Sequence, residues 1–139
     1  MNELPILGMP LDSSAKHAQL ARLRQTIGPF LSSSISEAAP ISCRVQGVES
    51  SLENLPHLVS NNARILVYFE NYDYAVNSTW GEFVAFVEAR EPWQDYDVCV
   101  LPADGDWCVA ITHNDRVSIV HDGNAPNNSF NTDALKRAG

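Results

Sequence analysis

The clearest pattern lies in the last third of the chain. Residues 96–101, 107–112 and 116–120 alternate apolar with polar or run apolar, and Ala103-Asp104-Gly105-Asp106 and His113-Asn114-Asp115 between them carry turn chemistry. Such strands and turns predict an antiparallel three-strand meander. A one-residue slip would send a whole apolar set to the wrong side, so Val98 and Val100 must share a face with Val109 and Ile111. Of the registers that satisfy this, the one with the shortest loop sets Val98 opposite Val109, Val100 opposite Trp107 and Cys99 opposite Cys108. In the second hairpin, Ile111 opposite Val117 leaves His113-Asn114-Asp115 as the loop, where Asn or Asp can take a positive φ.

Upstream, Pro5, Gly8 and Pro10 make residues 1–12 an extended lead-in. Ser13 or Ser14 can cap a helix whose apolar positions are Leu20, Leu23, Ile27 and Leu31, and Gly28-Pro29 must end or weaken it. Ser32-Ser33-Ser34 reads as a loop, and the alternation of Ile41, Cys43 and Val45 predicts a short strand ending at Gly47. A short helix around 50–55 is limited by Pro56. Ile65-Leu66-Val67-Tyr68-Phe69 has the length and continuity of a strand buried on both faces. Glu70-Asn71-Tyr72-Asp73-Tyr74 reads as a polar, aromatic loop. Thr79-x-x-Glu82 has the form of a capping box and opens a helix over 79–90, stopped by Pro92. Residues 123–139 read as a loose tail with a short helix near 132–137. Together these elements predict one α+β domain over residues 1–139, an antiparallel sheet with a C-terminal three-strand meander packed against two or three helices. Trp80 and Trp107 fall at core positions. Cys99, Leu101, Cys108 and Ala110 make the second sheet face apolar too, so a helix, a partner or a second copy in a homodimer must cover it.

Charge changes the picture once it is located. The net charge is −8. Residues 1–69 carry five acids and five bases, and residues 107–139 carry three of each. Residues 70–106 hold nine acids against the single base Arg90. That makes free nucleic acid and anionic membrane surfaces poor partners and a basic protein a good one. No apolar run approaches the roughly 18 residues of a membrane span. The amino-terminal residues lack the pattern of a secretory signal, and three cysteines without CxxC spacing suit reduced thiols; the expected location is the cytoplasm.

Catalytic and metal chemistry are weakly represented. His113, Asp115, His121 and Asp122 gather around the last hairpin, but their spacing matches no compact metal motif, and no metal or other cofactor is expected. Cys99 and Cys108 lie inside strands with no cation or helix N-terminus to make a reactive thiolate. The pairs Asp95/Asp97 and Asp104/Asp106 bracket strand ends and read as turn formers. Phosphate-cradling and nucleophile-elbow motifs do not occur, so no enzymatic role is expected. All Tyr and Trp of the chain, by contrast, fall in the acidic segment or at its edge. Aromatic anchors among carboxylates are what an interface with an Arg- or Lys-rich surface requires. The candidate partner-binding set is Glu70, Tyr72, Asp73, Tyr74, Trp93, Asp95, Asp97, Asp104 and Asp106.

The stretch Tyr96-Asp97-Val98-Cys99-Val100 followed by Asp106-Trp107-Cys108-Val109-Ala110-Ile111-Thr112-His113-Asn114 resembles small cytosolic immunity proteins of bacterial polymorphic and contact-dependent toxin systems. Asn114 stands where that pattern has an acidic residue. The resemblance implies stoichiometric binding and neutralisation of a toxin domain. An interaction or dimerisation module of other purpose is the alternative, followed by a small-ligand protein or enzyme with a pocket near the His113 hairpin.

Overall fold

A computed structural model describes residues 8–31, 40–89, 96–103 and 107–121. The architecture is α+β. Among the described residues seven strands form one antiparallel sheet: β1 (Met9–Pro10), β2 (Val48–Ser50), β3 (Arg64–Phe69), β4 (Tyr74–Thr79), β5 (Val98–Pro102), β6 (Trp107–Ile111) and β7 (Val117–His121), in spatial order β1-β4-β3-β5-β6-β7-β2. The helices are α1 (Ser13–Ile27), α2 (Ile41–Arg44), α3 (Leu55–Leu58) and α4 (Trp80–Glu88).

The central strands are buried on both faces, and each face has its own core. On one side Phe69, Val100, Trp107, Val109 and Ile119 pack against Leu55 and Leu58 of α3 and Trp80 and Phe83 of α4. Trp80 and Trp107 meet edge to face at 5.9 Å, and the Trp80 indole N–H donates to the Leu55 carbonyl at 2.9 Å. On the other side the smaller residues Cys99, Cys108, Ala75 and Ala110 meet Leu23 and Ile27 of α1, with Val45 beside them and Ile41 of α2 at the margin. The apolar second face is thus covered by the chain's own helices, which removes the physical reason for a homodimer there.

Local chemistry explains most helix ends. Asp12, not Ser13 or Ser14, caps α1, its carboxylate accepting the Ala15 N–H at 2.8 Å. The helix gives way at Gly28-Pro29 to a 3-10 turn. Thr79 caps α4, accepting the Glu82 N–H at 3.3 Å, while the Glu82 carboxylate turns to the Ser78 hydroxyl at 2.9 Å. Pro56 stands inside the first turn of α3, where a missing N–H costs nothing, so it starts the helix rather than limiting it. The expected helix stop at Pro92, the Ser32–Ser34 loop and the tail from residue 123 lie outside the described residues.

Three further expectations need correction. The segment expected as a strand through Ile41, Cys43 and Val45 is the helical turn α2, with only Val45 bridging to Leu31. Within the expected loop 70–74, residues Glu70–Tyr72 form a 3-10 turn and Tyr74 already opens β4, a strand hidden by its polar half Asn77-Ser78-Thr79. The first hairpin of the meander sets Val98 opposite Ile111, Cys99 opposite Ala110 and Val100 opposite Val109, so Cys99 does not face Cys108. The faces are as expected, but the strands slide by two residues, which leaves the two thiols on a diagonal. The expected register would have set Asp97 against Ala110; the observed one brings it to His113. The second hairpin does pair Ile111 with Val117, and Asp115 takes φ 64° in its loop.

Both edge strands are short, and each follows a glycine that lets two backbones close. A side-chain carbon at Gly8 would collide with the Asn77 carbonyl, and one at Gly47 with the Ile119 carbonyl. If α1 seals the second face, Ile27→Ala should cost about 2–5 kcal/mol in urea unfolding. Phe30→Ala, at a side chain that is 40% exposed, should cost far less. Equal losses would mean that the α1 packing is not as described.

Candidate functional site

The acidic segment divides into inward and outward carboxylates. Glu70 leaves the end of β3 and reaches under α2. Its two oxygens accept the N–H groups of Ile41 at 2.7 Å and Ser42 at 2.6 Å. Pro40 precedes these residues and has no side chain able to cap, so Glu70 satisfies the helix's orphan donors from elsewhere in the chain. The Cys99 thiol donates to the same carboxylate at 3.5 Å, and the Glu70 N–H donates to the Asp97 carbonyl at 2.9 Å.

Asp97 is only 4% exposed. One carboxylate oxygen, Oδ1, lies 3.0 Å from the His113 N–H, 2.9 Å from His113 Nδ1 and 3.7 Å from the Cys43 thiol. Its Oδ2 accepts from the Asn71 amide at 3.3 Å, and Asn71 Oδ1 accepts the Asp97 N–H at 2.6 Å. The oxygens of Glu70, which is half-buried, and of Asp97, which is buried, are thus engaged by groups of the fold itself.

Tyr72 and Tyr74 are half-buried and belong to an aromatic cluster. Phe69 stacks with Tyr74 at 6.2 Å and meets Phe86 and Tyr96 edge to face at 5.7 and 5.5 Å. Tyr72 tilts against Tyr96 at 6.0 Å. The two tyrosines pack beneath the 70–74 turn. Asp73, at its tip, is exposed and takes the left-handed φ of 47°. Its carboxylate pairs with Lys16 at 2.8 Å and accepts the Tyr68 hydroxyl at 2.7 Å. Those bonds, from Lys16 first and Tyr68 second, hold the Asp73 carboxyl below its usual range, and burial with the nearby Asp73 pushes the Tyr68 phenol up. Trp93, Asp95, Asp104 and Asp106 lie outside the described residues.

The outward acids include Glu82 and Glu88 of α4 and Glu53, none of them among the predicted set except by charge. Glu53 and Glu88 flank a groove of about 210 Å³ between the 3-10 turn Leu52–Asn54 with α3 and the side of α4. Leu52, Leu55, Val84 and Val87 form its floor and walls. An apolar trough with a carboxylate on each wall suits an apolar side chain flanked by a Lys or Arg. Sequence reasoning passed over it because its two walls are 30 residues apart and Leu52 and Glu53 carry no local signal.

The thiols are free, and their surroundings disfavour thiolates. Burial, then the Asp97 and Glu70 carboxylates, push Cys43 up; the Cys108 thiol and burial push Cys99 up. Cys43 donates to the Asp97 carboxylate, whose negative charge opposes a neighbouring thiolate instead of stabilising it.

Glu70→Gln leaves one acceptor oxygen for two helix N–H groups and should cost about 1–3 kcal/mol. In the same variant the Ile41 and Ser42 amides should exchange faster; unchanged protection would mean that Glu70 does not cap α2. Asp73→Asn keeps a residue that tolerates left-handed backbone and should cost less than about 1 kcal/mol at neutral pH, because the pair is exposed. The Asp73 carboxyl is lowered on folding, so its contribution is present above the ordinary value of 3.8 and disappears as pH falls through the lowered one. Wild-type and Asp73→Asn melting curves should converge on acidification, and a gap that widens would contradict the assignment.

Neither a family model, nor a curated protein, nor a solved structure matches this chain.

Proposed function

We propose that the chain is an immunity-type inhibitor that binds a basic toxin domain one to one and catalyses no reaction. The observation that carries the reading is the apolar groove with Glu53 and Glu88 on its two walls, set in a chain of net charge −8. Opposed potentials speed the encounter with a basic surface, and a desolvated apolar anchor slows its release. The resemblance of the last two hairpins to immunity proteins supplies the class of partner. Among the described residues no helix is long and apolar enough to cross a membrane, which agrees with an inhibitor that meets its target away from the bilayer.

The test is co-expression of this chain with the product of the gene adjacent to its own, which this reading requires to be a toxin. Growth should be rescued and the two chains should co-purify in equal amounts. Glu53→Lys with Glu88→Lys should weaken binding by roughly tenfold, mainly through slower association, and the effect should shrink as salt rises. Val87→Ala should instead speed dissociation. Arg24→Glu, exposed on α1 across the sheet, is the control and should change little. A toxin left fully active, or binding indifferent to the groove changes and to salt, would rule out this reading.

A further inference from the structure

Cys43, Asp97 and His113 come from three separate elements: α2, the segment leading into β5, and the loop between β6 and β7. Each offers a metal-ligating atom, and the three atoms lie within 4.8 Å of one another. We propose that they form a binding site for one divalent ion of the zinc class, with the fourth position open to water or a small ligand.

The donor set is the first reason. One sulfur, one imidazole nitrogen and one carboxylate oxygen are the mixed ligands that a borderline-soft ion takes, and three protein ligands with an open position is a recurrent arrangement. Distances are the second. Ordinary zinc bond lengths and a tetrahedral angle put a ligating sulfur about 3.5 Å from an oxygen and a nitrogen about 3.3 Å from it. Here Cys43 Sγ lies 3.7 Å and His113 Nδ1 lies 2.9 Å from the same Asp97 Oδ1, each within a few tenths of an ångström of those values, and with all three atoms within 4.8 Å of one another the separation an ion must draw in is that between Sγ and Nδ1.

Crowding is the third reason. The Cys43 thiol, the His113 N–H and the His113 ring all converge on the one oxygen, more donors than its two lone pairs serve well. A bound ion replaces two of them: the thiol proton leaves to solvent, the ring gives up its Nδ1 proton to solvent and as a neutral imidazole holds its one proton on Nε2, and Nδ1 and Sγ turn their lone pairs to the metal. Thiolate and carboxylate then balance the two positive charges. The supporting contacts are already in place, with Asn71 on Asp97 Oδ2 and the His113 N–H on Oδ1, as outer-shell partners of metal ligands commonly are. The His113 side chain is 46% exposed and that of Asp97 6%, so an ion has a way in from solvent to a fixed inner ligand. The groove between α3 and α4 lies on the other face of the sheet, so this site does not depend on the proposed inhibitor role.

Cobalt(II) titrated into the full chain should give a thiolate-to-cobalt charge-transfer absorption that saturates at one equivalent and is displaced by zinc. Cys43→Ser should abolish it. His113→Gln, at an exposed turn residue, removes a ligand and should weaken binding by more than the roughly 10–100-fold that losing an outer-shell partner costs. A readout that needs no variant is alkylation of Cys43 in the unaltered protein, followed by peptide mass. Saturating zinc should slow it at least tenfold, and a chelator should restore the rate. Absence of the cobalt band, its survival in Cys43→Ser, or a Cys43 alkylation rate that zinc leaves unchanged would overturn the assignment.

Discussion

Two carboxylates at one end of the sheet decide how the rest is arranged. A carboxylate taken out of water costs several kcal/mol unless donors surround it, and Glu70 and Asp97 obtain theirs chiefly from backbone and amide groups. Glu70 takes the first N–H groups of α2. Asp97 takes the turn at His113 and the side chain of Asn71, and the two residues are joined through the Glu70 N–H and the Asp97 carbonyl. Each bond raises the cost of breaking its neighbour, because a bare Asp97 carboxylate would be buried and unpaired and a bare Glu70 carboxylate only partly reached by water. The network fixes the register of β5 on β6 and seats α2 across β5 and β6.

Counting acids along the sequence therefore overstates the outward charge of the 70–74 region. Glu70 and Asp97 face inward, Asp73 is tied to Lys16, and Glu49 on β2 is paired with Arg116 at 2.9 Å. The carboxylates with an apolar neighbourhood worth recognising are those beside the α3–α4 groove. Tyr72 and Tyr74 behave similarly: they look like anchors in the sequence, and their rings are held against Phe69 and Tyr96.

How much could be read in advance follows from how local each signal is. The strand Ile65–Phe69, the Thr79 cap of α4, the meander strands and the positive φ at Asp115 are set by residues a few positions apart, and all were legible. β4 was not, because its polar half carries no alternation, and β1 and β2 are too short to show any. The turn α2 was misread as a strand since Ile41, Cys43 and Val45 do alternate, and the group that caps it stands 28 residues away. Parity chose the correct faces for Cys99 and Cys108, but a two-residue slide preserves parity, and only the long-range contact of Asp97 with His113 distinguishes the registers. The cluster of Cys43, Asp97 and His113 was invisible for the same reason.

The capping of α2 by Glu70 also orders events in time. A helix of four residues cannot persist alone, because nucleation is costly and isolated helices shorter than about 12–15 residues are marginal in water. Its donors are satisfied only when β3 has formed and delivered Glu70. Closing that contact means first paying the loop entropy of the intervening chain. The hairpins β3–β4, β5–β6 and β6–β7 close between neighbouring strands, whereas the cap of α2 must cross 28 residues, so α2 is expected late in folding and early in unfolding, and its interactions then bear more on the lifetime of the native state than on the rate at which it is reached.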